Sequence, residues 1–144
     1  MKLKFSYLMI TTILIVSFAS CRKQEGTGGT SSISGNVIAD VIFNNKNGDT
    51  LGVNQKLANA NVYICYGTDS IPADNIKTNY DGSFRFDYLQ KGTYTLYVLS
   101  DNIVPSIPYP STNFQLYTIL KKQIEITGKN KNVDAGTFHM NYGY

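Results

Sequence analysis

The chain has 144 residues, of which 42% are hydrophobic and 16% charged, a composition typical of one globular domain and not of a disordered protein. Its formal net charge of +3 falls to +1 without residues 1–20, which excludes the clustered basic surface of a nucleic-acid-binding protein. Eleven tyrosines and seven phenylalanines, without long runs of helix-forming residues, favour strands over helices.

Residues 1–20 have the pattern of a signal peptide. Lys2 and Lys4 precede an apolar stretch over residues 5–19, and small residues follow it before Cys21. A retained transmembrane anchor is the alternative, but the apolar stretch is short for a bilayer core that needs about 20 residues.

The end of this segment, Phe18-Ala19-Ser20-Cys21, resembles the lipobox of bacterial lipoproteins, although Phe18 stands where leucine is commonest. The resemblance implies that Cys21 becomes an acylated N-terminus and that the protein's partner is a membrane, through this lipid. The implied location is a bacterial cell envelope, with the lipid in the outer membrane. Both the periplasmic face and the cell-surface face of that membrane are compatible with the sequence. Cys65 is then a buried small hydrophobe, and a disulfide with Cys21 is the alternative.

Glycine, serine and threonine dominate the next segment, RKQEGTGGTSS, which contains no apolar side chain. This composition predicts a flexible linker. The expected organisation is therefore a lipoprotein signal peptide over 1–20, a lipidated cysteine and linker over 21–32, and a folded domain over 33–144.

Short strands separated by turns are predicted from Ile33 onward. The polar residues 44–59 and the proline-containing residues 101–112 are predicted as loops, since proline does not serve a central strand. About seven strands at this spacing predict an all-β sandwich. Alternation places two groups of side chains in its core: Phe84, Phe86 and Tyr88, and Tyr94, Leu96 and Val98.

Four motifs occur in an order that resembles the carboxypeptidase regulatory-like domain family. They are ISGNV (33–37), ANANVYI (58–64), TNYDGSFRF (78–86) and KGTYTLYV (91–98). The resemblance implies a seven-stranded Greek-key sandwich of the prealbumin (transthyretin-like) type, related to Cna-B-like surface repeats. It also implies a domain that carries no catalysis itself.

The centre of the third motif could be a turn or a calcium site. Gly82 can adopt a positive φ without steric cost, and Asp81 can accept backbone amides, so a structural hairpin between two core strands is predicted. Calcium needs six to eight oxygen ligands, and Asp81 with Asn79 and the more distant Asp87 supplies few. No metal and no cofactor are therefore expected.

Catalytic chemistry finds little support in the residue types. His139 is the single histidine, and a Ser-His-Asp triad or a zinc site would need partners in addition to it. Glu125 alternates with Ile124 and Ile126 and is predicted to be exposed; a buried acid promoting a Lys–Asn isopeptide bond is the alternative.

Aromatic residues give the remaining site prediction. Tyr109, Phe114, Tyr142 and Tyr144 are expected in loops or at the chain end, where such rings stack on sugars or anchor a partner protein. Covering the end of the sandwich is their alternative role. We therefore expect a non-catalytic, lipid-anchored envelope protein for binding, scaffolding or assembly. A glycan-binding accessory lipoprotein beside an outer-membrane transporter is the alternative, and an enzyme is the third possibility.

Overall fold

A computed structural model of the chain describes residues 25–42, 50–101 and 117–143, with residues 42, 50 and 51 described by their backbone alone. The described residues form strands and no helix, which confirms the predicted all-β class. They therefore include no helix long and apolar enough to cross a membrane. The strands are β1 (Thr27–Ile42), β2 (Thr50–Lys56), β3 (Asn61–Tyr66), β4 (Asp74–Lys77), β5 (Ser83–Leu89), β6 (Gly92–Asp101), β7 (Tyr117–Ile126) and β8 (Asn132–Gly143).

The strands form two four-stranded sheets. In the first sheet, the long strand β1 pairs antiparallel with β5 and β2 along one edge and parallel with β8 along the other. The second sheet is antiparallel throughout, in the order β4-β3-β6-β7. Alternate side chains from both sheets meet in one core, including Ile33, Val37, Val62, Ile64, Phe84, Phe86, Tyr94, Leu96, Val98, Ile126 and Phe138.

β1 changes its partner at Val37. Residues 33–36 pair with β5, and residues 38–42 pair with β2. Between them, the Val37 N–H donates to the Gly82 carbonyl (2.8 Å) and the Val37 carbonyl accepts from the Leu57 N–H (3.2 Å). Gly82 has a φ of +76°, and a Cβ there would lie 2.5 Å from the Val37 oxygen. The predicted positive φ is thus confirmed, and the close backbone contact is a second reason for glycine.

The turn before β5 is not the predicted hairpin. β4 belongs to the second sheet and β5 to the first, so the chain crosses between sheets here. Asn79 donates its N–H to the Ser83 carbonyl (2.8 Å), and Asp81 Oδ1 accepts the Ser83 N–H (3.0 Å). Hydrogen bonds from Ser83 lower the pKa of Asp81. Asp81 therefore serves a turn, as predicted, but alternation alone could not tell which sheet each flanking strand would join.

The prediction that Tyr88 faces the core is wrong. Tyr88 is 73% exposed with a φ of +60°, and Leu89 occupies the core instead. Between the pairs Phe86 with Ile33 and Leu89 with Ser31, β5 contains one residue more than β1. Such a bulge reverses the alternation beyond it.

The predicted loop over residues 44–59 contains an additional strand, β2, so that the described residues form eight strands. β2 lies at the edge of the first sheet, and its Val53 is largely exposed. An edge strand of this kind contains few apolar side chains, and for this reason its polar sequence was predicted as a loop. Most of the predicted proline-containing loop lies outside the described residues.

The predicted linker is ordered from Thr27, where β1 begins, and its last six residues belong to the first sheet. Ser31 and Ser32 are buried, and their hydroxyls donate to the Gly128 carbonyl (3.0 Å) and to Asn132 Oδ1 (3.1 Å). A Cβ at Gly29 would overlap the Leu89 carbonyl. The glycine content thus reflects close packing between backbones at this position, not chain flexibility.

Tyr94 fixes the chain just before β1. Its buried hydroxyl donates to the Gln90 carbonyl (2.7 Å) and accepts the Gly26 N–H (3.2 Å). The Gly26 carbonyl in turn accepts the Gln90 N–H (2.9 Å). Burial raises the pKa of Tyr94 above its ordinary value. The chain is therefore bound to the domain from Gly26 onward.

Lys122 closes one side of the sandwich. From β7 in the second sheet, its Nζ donates to the carbonyls of Ala135 (2.9 Å) and Thr137 (2.8 Å) in β8 of the first sheet. The same Nζ lies 4.8 Å from the centre of the Phe138 ring, within range of a cation–π contact. Two backbone acceptors between the sheets are thereby satisfied.

Candidate functional site

The strands place different residues at the two ends of the sandwich. Gly92 pairs with Ile126 at one end of the β6–β7 ladder, and Asp101 pairs with Tyr117 at the other. β1 begins at the Gly92 end, which we call the N-terminal end. The opposite end contains a cleft of about 440 Å³, and we call it the cleft end.

Aromatic and amide side chains line the cleft. Tyr63 contributes from β3, Tyr117 from β7 and Tyr142 from β8, so both sheets supply rings. The polar lining consists of Asn59, Asn61 and Asp101. A concavity of this volume, lined by aromatic rings together with convergent polar groups, is a form that small-ligand sites take.

Asp101 is the carboxylate that the described residues contribute to the cleft lining, and it is only 8% exposed. Its Oδ2 accepts the Gly143 N–H (2.7 Å), and the neighbouring Ser100 hydroxyl accepts the Asn141 N–H (2.8 Å). These two bonds join the end of β6 to the end of β8. An ionised carboxylate can accept about four hydrogen bonds, so Asp101 retains capacity for hydroxyl donors of a ligand.

Thr78 holds the rim of the cleft in place. Its hydroxyl donates to the Leu57 carbonyl (2.5 Å) and accepts the Ala60 N–H (3.0 Å). Its backbone carbonyl accepts the Asn59 N–H (3.1 Å), and its N–H donates to the Ala60 carbonyl (3.0 Å). Asn59 adopts a φ of +59°, a conformation in which asparagine is enriched. The first residue of the motif TNYDGSFRF therefore orders the cleft rim.

A tyrosine stack continues from the cleft along the outer face of the second sheet. Tyr63 and Tyr97 are cross-strand partners with ring centres 4.9 Å apart and planes inclined by 13°. Beyond Tyr97 lies a hollow of about 470 Å³ beside Ile119, which is 60% exposed, and Lys121. This face thus presents rings on a strand scaffold, where their positions are well defined.

Tyr63, Tyr97 and Tyr117 were not among the predicted site residues. A signal for two of them was available in the strands NVYICY and GTYTLYVLSD. Tyr63 and Tyr97 alternate with the core residues Val62, Ile64, Leu96 and Val98, so they point outward while remaining apolar. Strands that are apolar on both faces indicate that the outer face is also covered or used.

Of the predicted aromatic site residues, Tyr142 lies in the cleft wall. Tyr109, Phe114 and Tyr144 lie outside the described residues, as does Cys21. Cys65 is a free, buried thiol whose pKa is raised by burial, in agreement with the predicted buried hydrophobe.

The predicted polar candidates do not converge on a metal. Asn79 donates its side-chain amide to the Ser83 hydroxyl (3.0 Å), beside the Asp81 bond to the Ser83 N–H. Within the described ranges, no group of three or more histidine, cysteine, aspartate or glutamate side chains could hold a metal ion. Glu125 is exposed, as predicted, which is incompatible with the buried acid of an isopeptide site.

His139 lies on the outer face of the first sheet. Its Nε2 lies 3.0 Å from Asp40 Oδ1, which also accepts the Asn54 N–H (2.8 Å). The Asn54 hydrogen bond, followed by the one from His139, lowers the pKa of Asp40. This group connects β1, β2 and β8 at a position separate from the cleft lining.

Comparisons with known proteins identify no family: no family model matches the sequence, and no curated protein matches it. Among solved structures, a 9R-lipoxygenase from Cyanothece PCC8801 is similar over 90% of this chain at 16% identity, with a TM-score of 0.40. The chain spans about a fifth (20%) of that enzyme's length. A putative carbohydrate binding protein from Pseudomonas aeruginosa is similar over 87% of this chain and 94% of its own, at 14% identity and a TM-score of 0.42. With scores this low, neither similarity indicates the function of this chain.

Proposed function

We propose that the chain is a non-catalytic, lipid-anchored protein of a bacterial envelope whose β-sandwich binds a ligand in the cleft. The lipobox-like sequence ending in Cys21 supports the anchor, and the four ordered motifs support a carboxypeptidase regulatory-like domain. The observation that carries the binding role is the cleft, in which tyrosine rings from both sheets surround two asparagines and a buried carboxylate.

The cleft favours a glycan as the ligand. Sugar rings present apolar C–H faces that pack on aromatic rings, and hydroxyls that pair with amide and carboxylate groups. Tyr63 and Tyr117 supply rings, while Asn59, Asn61 and Asp101 supply donors and acceptors. Service as a glycan-capture lipoprotein beside an outer-membrane transporter is therefore the preferred form of this function, and scaffolding of a protein partner is the second.

The anchor is tested by metabolic labelling. The full-length chain, produced in a Gram-negative host with a radioactive fatty acid, is expected to incorporate label, and Cys21→Ala is expected to abolish incorporation. Cys65→Ala is the matched control and should keep the label. Equal labelling of the Cys21→Ala variant would refute lipidation at Cys21.

Ligand binding is tested with the purified protein and a panel of immobilised neutral and acidic polysaccharides. Asp101→Asn should weaken retention on the bound polysaccharide about tenfold or more, because hydrogen bonds to a charged group contribute about 1.5–3 kcal/mol. Tyr63→Ala should weaken it as well, through lost ring contact. Tyr80→Ala is the control, since Tyr80 is 94% exposed in the inter-sheet turn and is not among the residues that line the cleft.

Two outcomes would overturn the glycan proposal. The first is that no polysaccharide in the panel is retained, and the second is that Asp101→Asn and Tyr80→Ala bind equally. Circular dichroism of each variant establishes that the β structure is intact.

A further inference from the structure

The N-terminal end of the sandwich contains a second concavity, opposite the cleft. It has a volume of about 390 Å³ and lies between the start of β1 and the β5–β6 and β7–β8 turns. Backbone of Gly28 and Gly29 forms one wall, and Lys91 and Lys129 stand on the turns beside it. Among the described residues, no carboxylate belongs to its lining. We call it the N-terminal hollow.

The charges around this hollow favour an anion. Lys91, Lys129 and the adjacent Lys131 are exposed, and within the described part of the chain none of them forms an ion pair. The acidic residues near this end include Glu25, Asp87 and Glu125, and none of them lines the hollow. Glycine backbone with two flanking lysines suits a phosphate-bearing group.

The chain leads from this end directly to the proposed lipid. Gly26 is bound to Gln90 and Tyr94, and the Glu25 side chain packs where Gly92 and Gly67 have no Cβ. Only residues 22–24 separate Glu25 from Cys21. Four Cα–Cα steps span at most about 14 Å, so a lipid on Cys21 keeps the N-terminal end close to the membrane. Arg22 and Lys23 add two positive charges within this interval.

We propose that the N-terminal hollow receives an anionic phospholipid headgroup, so that the sandwich stands end-on on the membrane and presents its cleft away from it. The ten residues of β6 run from the hollow to the cleft, a distance of about 30 Å at 3.3 Å per residue. This inference rests on the lipid anchor of the proposed function. It adds a membrane-contacting surface and a fixed orientation for the cleft.

The orientation is tested with matched labels at the two ends of β7. Thr127→Cys directly follows β7 at the N-terminal end, Thr118→Cys lies in β7 at the cleft end, and both threonines are exposed. The buried Cys65 gives a background measured on the parent protein. Each lipidated full-length variant carries a fluorophore on the introduced cysteine and is reconstituted in vesicles that contain a quencher at the headgroup level. Two vesicle types are compared: phosphatidylethanolamine with phosphatidylglycerol, and phosphatidylethanolamine with phosphatidylcholine.

The label at position 127 is expected to be strongly quenched in phosphatidylglycerol vesicles, and the label at position 118 is expected to remain bright. Lys91→Gln with Lys129→Gln should reduce the quenching at 127, as should replacing phosphatidylglycerol by phosphatidylcholine. Lys56→Gln with Lys77→Gln changes the net charge equally, away from the hollow, and should leave the quenching unchanged. Raising the salt concentration should act like the lysine substitutions, because the Debye length falls to about 3 Å at 1 M.

Equal quenching at the two positions would refute the end-on orientation. Quenching at 127 that is indifferent to both lysine substitutions would refute the headgroup site. The mass of the same purified protein reports acylation of Cys21: an unmodified mass would refute the anchor and this inference together, whereas an acylated chain with equal quenching refutes the orientation alone. Binding of polysaccharide reports on the cleft independently.

Discussion

Gly82→Ala tests the junction at which β1 changes its partner. The substitution places a methyl group 2.5 Å from the Val37 carbonyl oxygen at a residue whose φ is +76°. The left-handed conformation costs a non-glycine residue about 1–2 kcal/mol. Displacing the Val37 carbonyl also weakens its hydrogen bond with the Leu57 N–H, which contributes about 0.5–1.5 kcal/mol.

These two effects lead us to expect that Gly82→Ala lowers the free energy of unfolding by about 1.5–3.5 kcal/mol. A loss of this size is a large part of the stability of an ordinary domain, about 5–15 kcal/mol. The assay is urea unfolding of residues 22–144, followed by circular dichroism and tyrosine fluorescence, since the chain has no tryptophan.

Gly128→Ala is the matched control for this measurement. A Cβ at Gly128 would meet only the flexible Lys131 side chain, at 3.7 Å, and Gly128 has no positive φ. Its free energy of unfolding should change by less than about 1 kcal/mol, and the change should be favourable if the backbone tolerates alanine without strain. If the two variants unfold at the same urea concentration, the argument that Gly82 is required by the junction fails.

Two further predictions concern side chains that join parts of the sandwich. Lys122→Met should lower the free energy of unfolding by about 1–3 kcal/mol, because two carbonyls of β8 lose their donor. The control Lys121→Met should change it by less than about 0.5 kcal/mol. Equal urea midpoints for the two variants would contradict the role of Lys122 in joining the sheets. Burial raises the pKa of Tyr94, so as the pH rises the tyrosine loses its proton in the unfolded chain before it does so in the folded chain. The stability that the protonated Tyr94 hydroxyl contributes is therefore complete below the ordinary tyrosine pKa near 10 and is lost as the pH rises through the folded-state pKa. Tyr94→Phe should therefore be less stable at neutral pH and should lose less stability between about pH 9 and 11, which urea titrations at several pH values would measure; parallel pH profiles would refute the assignment.

Most of the core could be predicted from alternation. Tyr94, Leu96 and Val98 are buried as expected, because period-two alternation is regular along β6. Tyr88 could not be placed, because the bulge that turns it outward depends on how β5 pairs with a distant segment of β1. The turn at Asp81 crosses between sheets because β4 and β5 pair with strands of different sheets. The sequence near the turn does not indicate which sheet each strand joins.

The candidate site was less accessible to sequence reasoning. Tyr142 was chosen as an aromatic near the chain end, and it does line the cleft. Asp101 lies about forty positions after Asn61 and Tyr63 in the sequence, and the pairing of β6 with β3 and the approach of β8 bring these residues to one end. Tyr63 and Tyr97 alternate with buried residues in their strands, and this outward direction of two aromatic rings is the signal in the sequence that points to the site.

The parallel pairing of β1 with β8 has a consequence for how the protein acquires its structure. Ser32 pairs with Asn132 and Ile42 with Gly143, so the two strands are about 100 residues apart along the chain. Contacts of such long range slow the folding of all-β domains to milliseconds or seconds, because the entropy of closing the loop is lost before the contacts form. During synthesis the N-terminal strand β1 therefore keeps one edge unpaired until β8 has been made. An edge of that length can pair with wrong partners, so we expect folding to depend on keeping nascent chains apart until β8 is available.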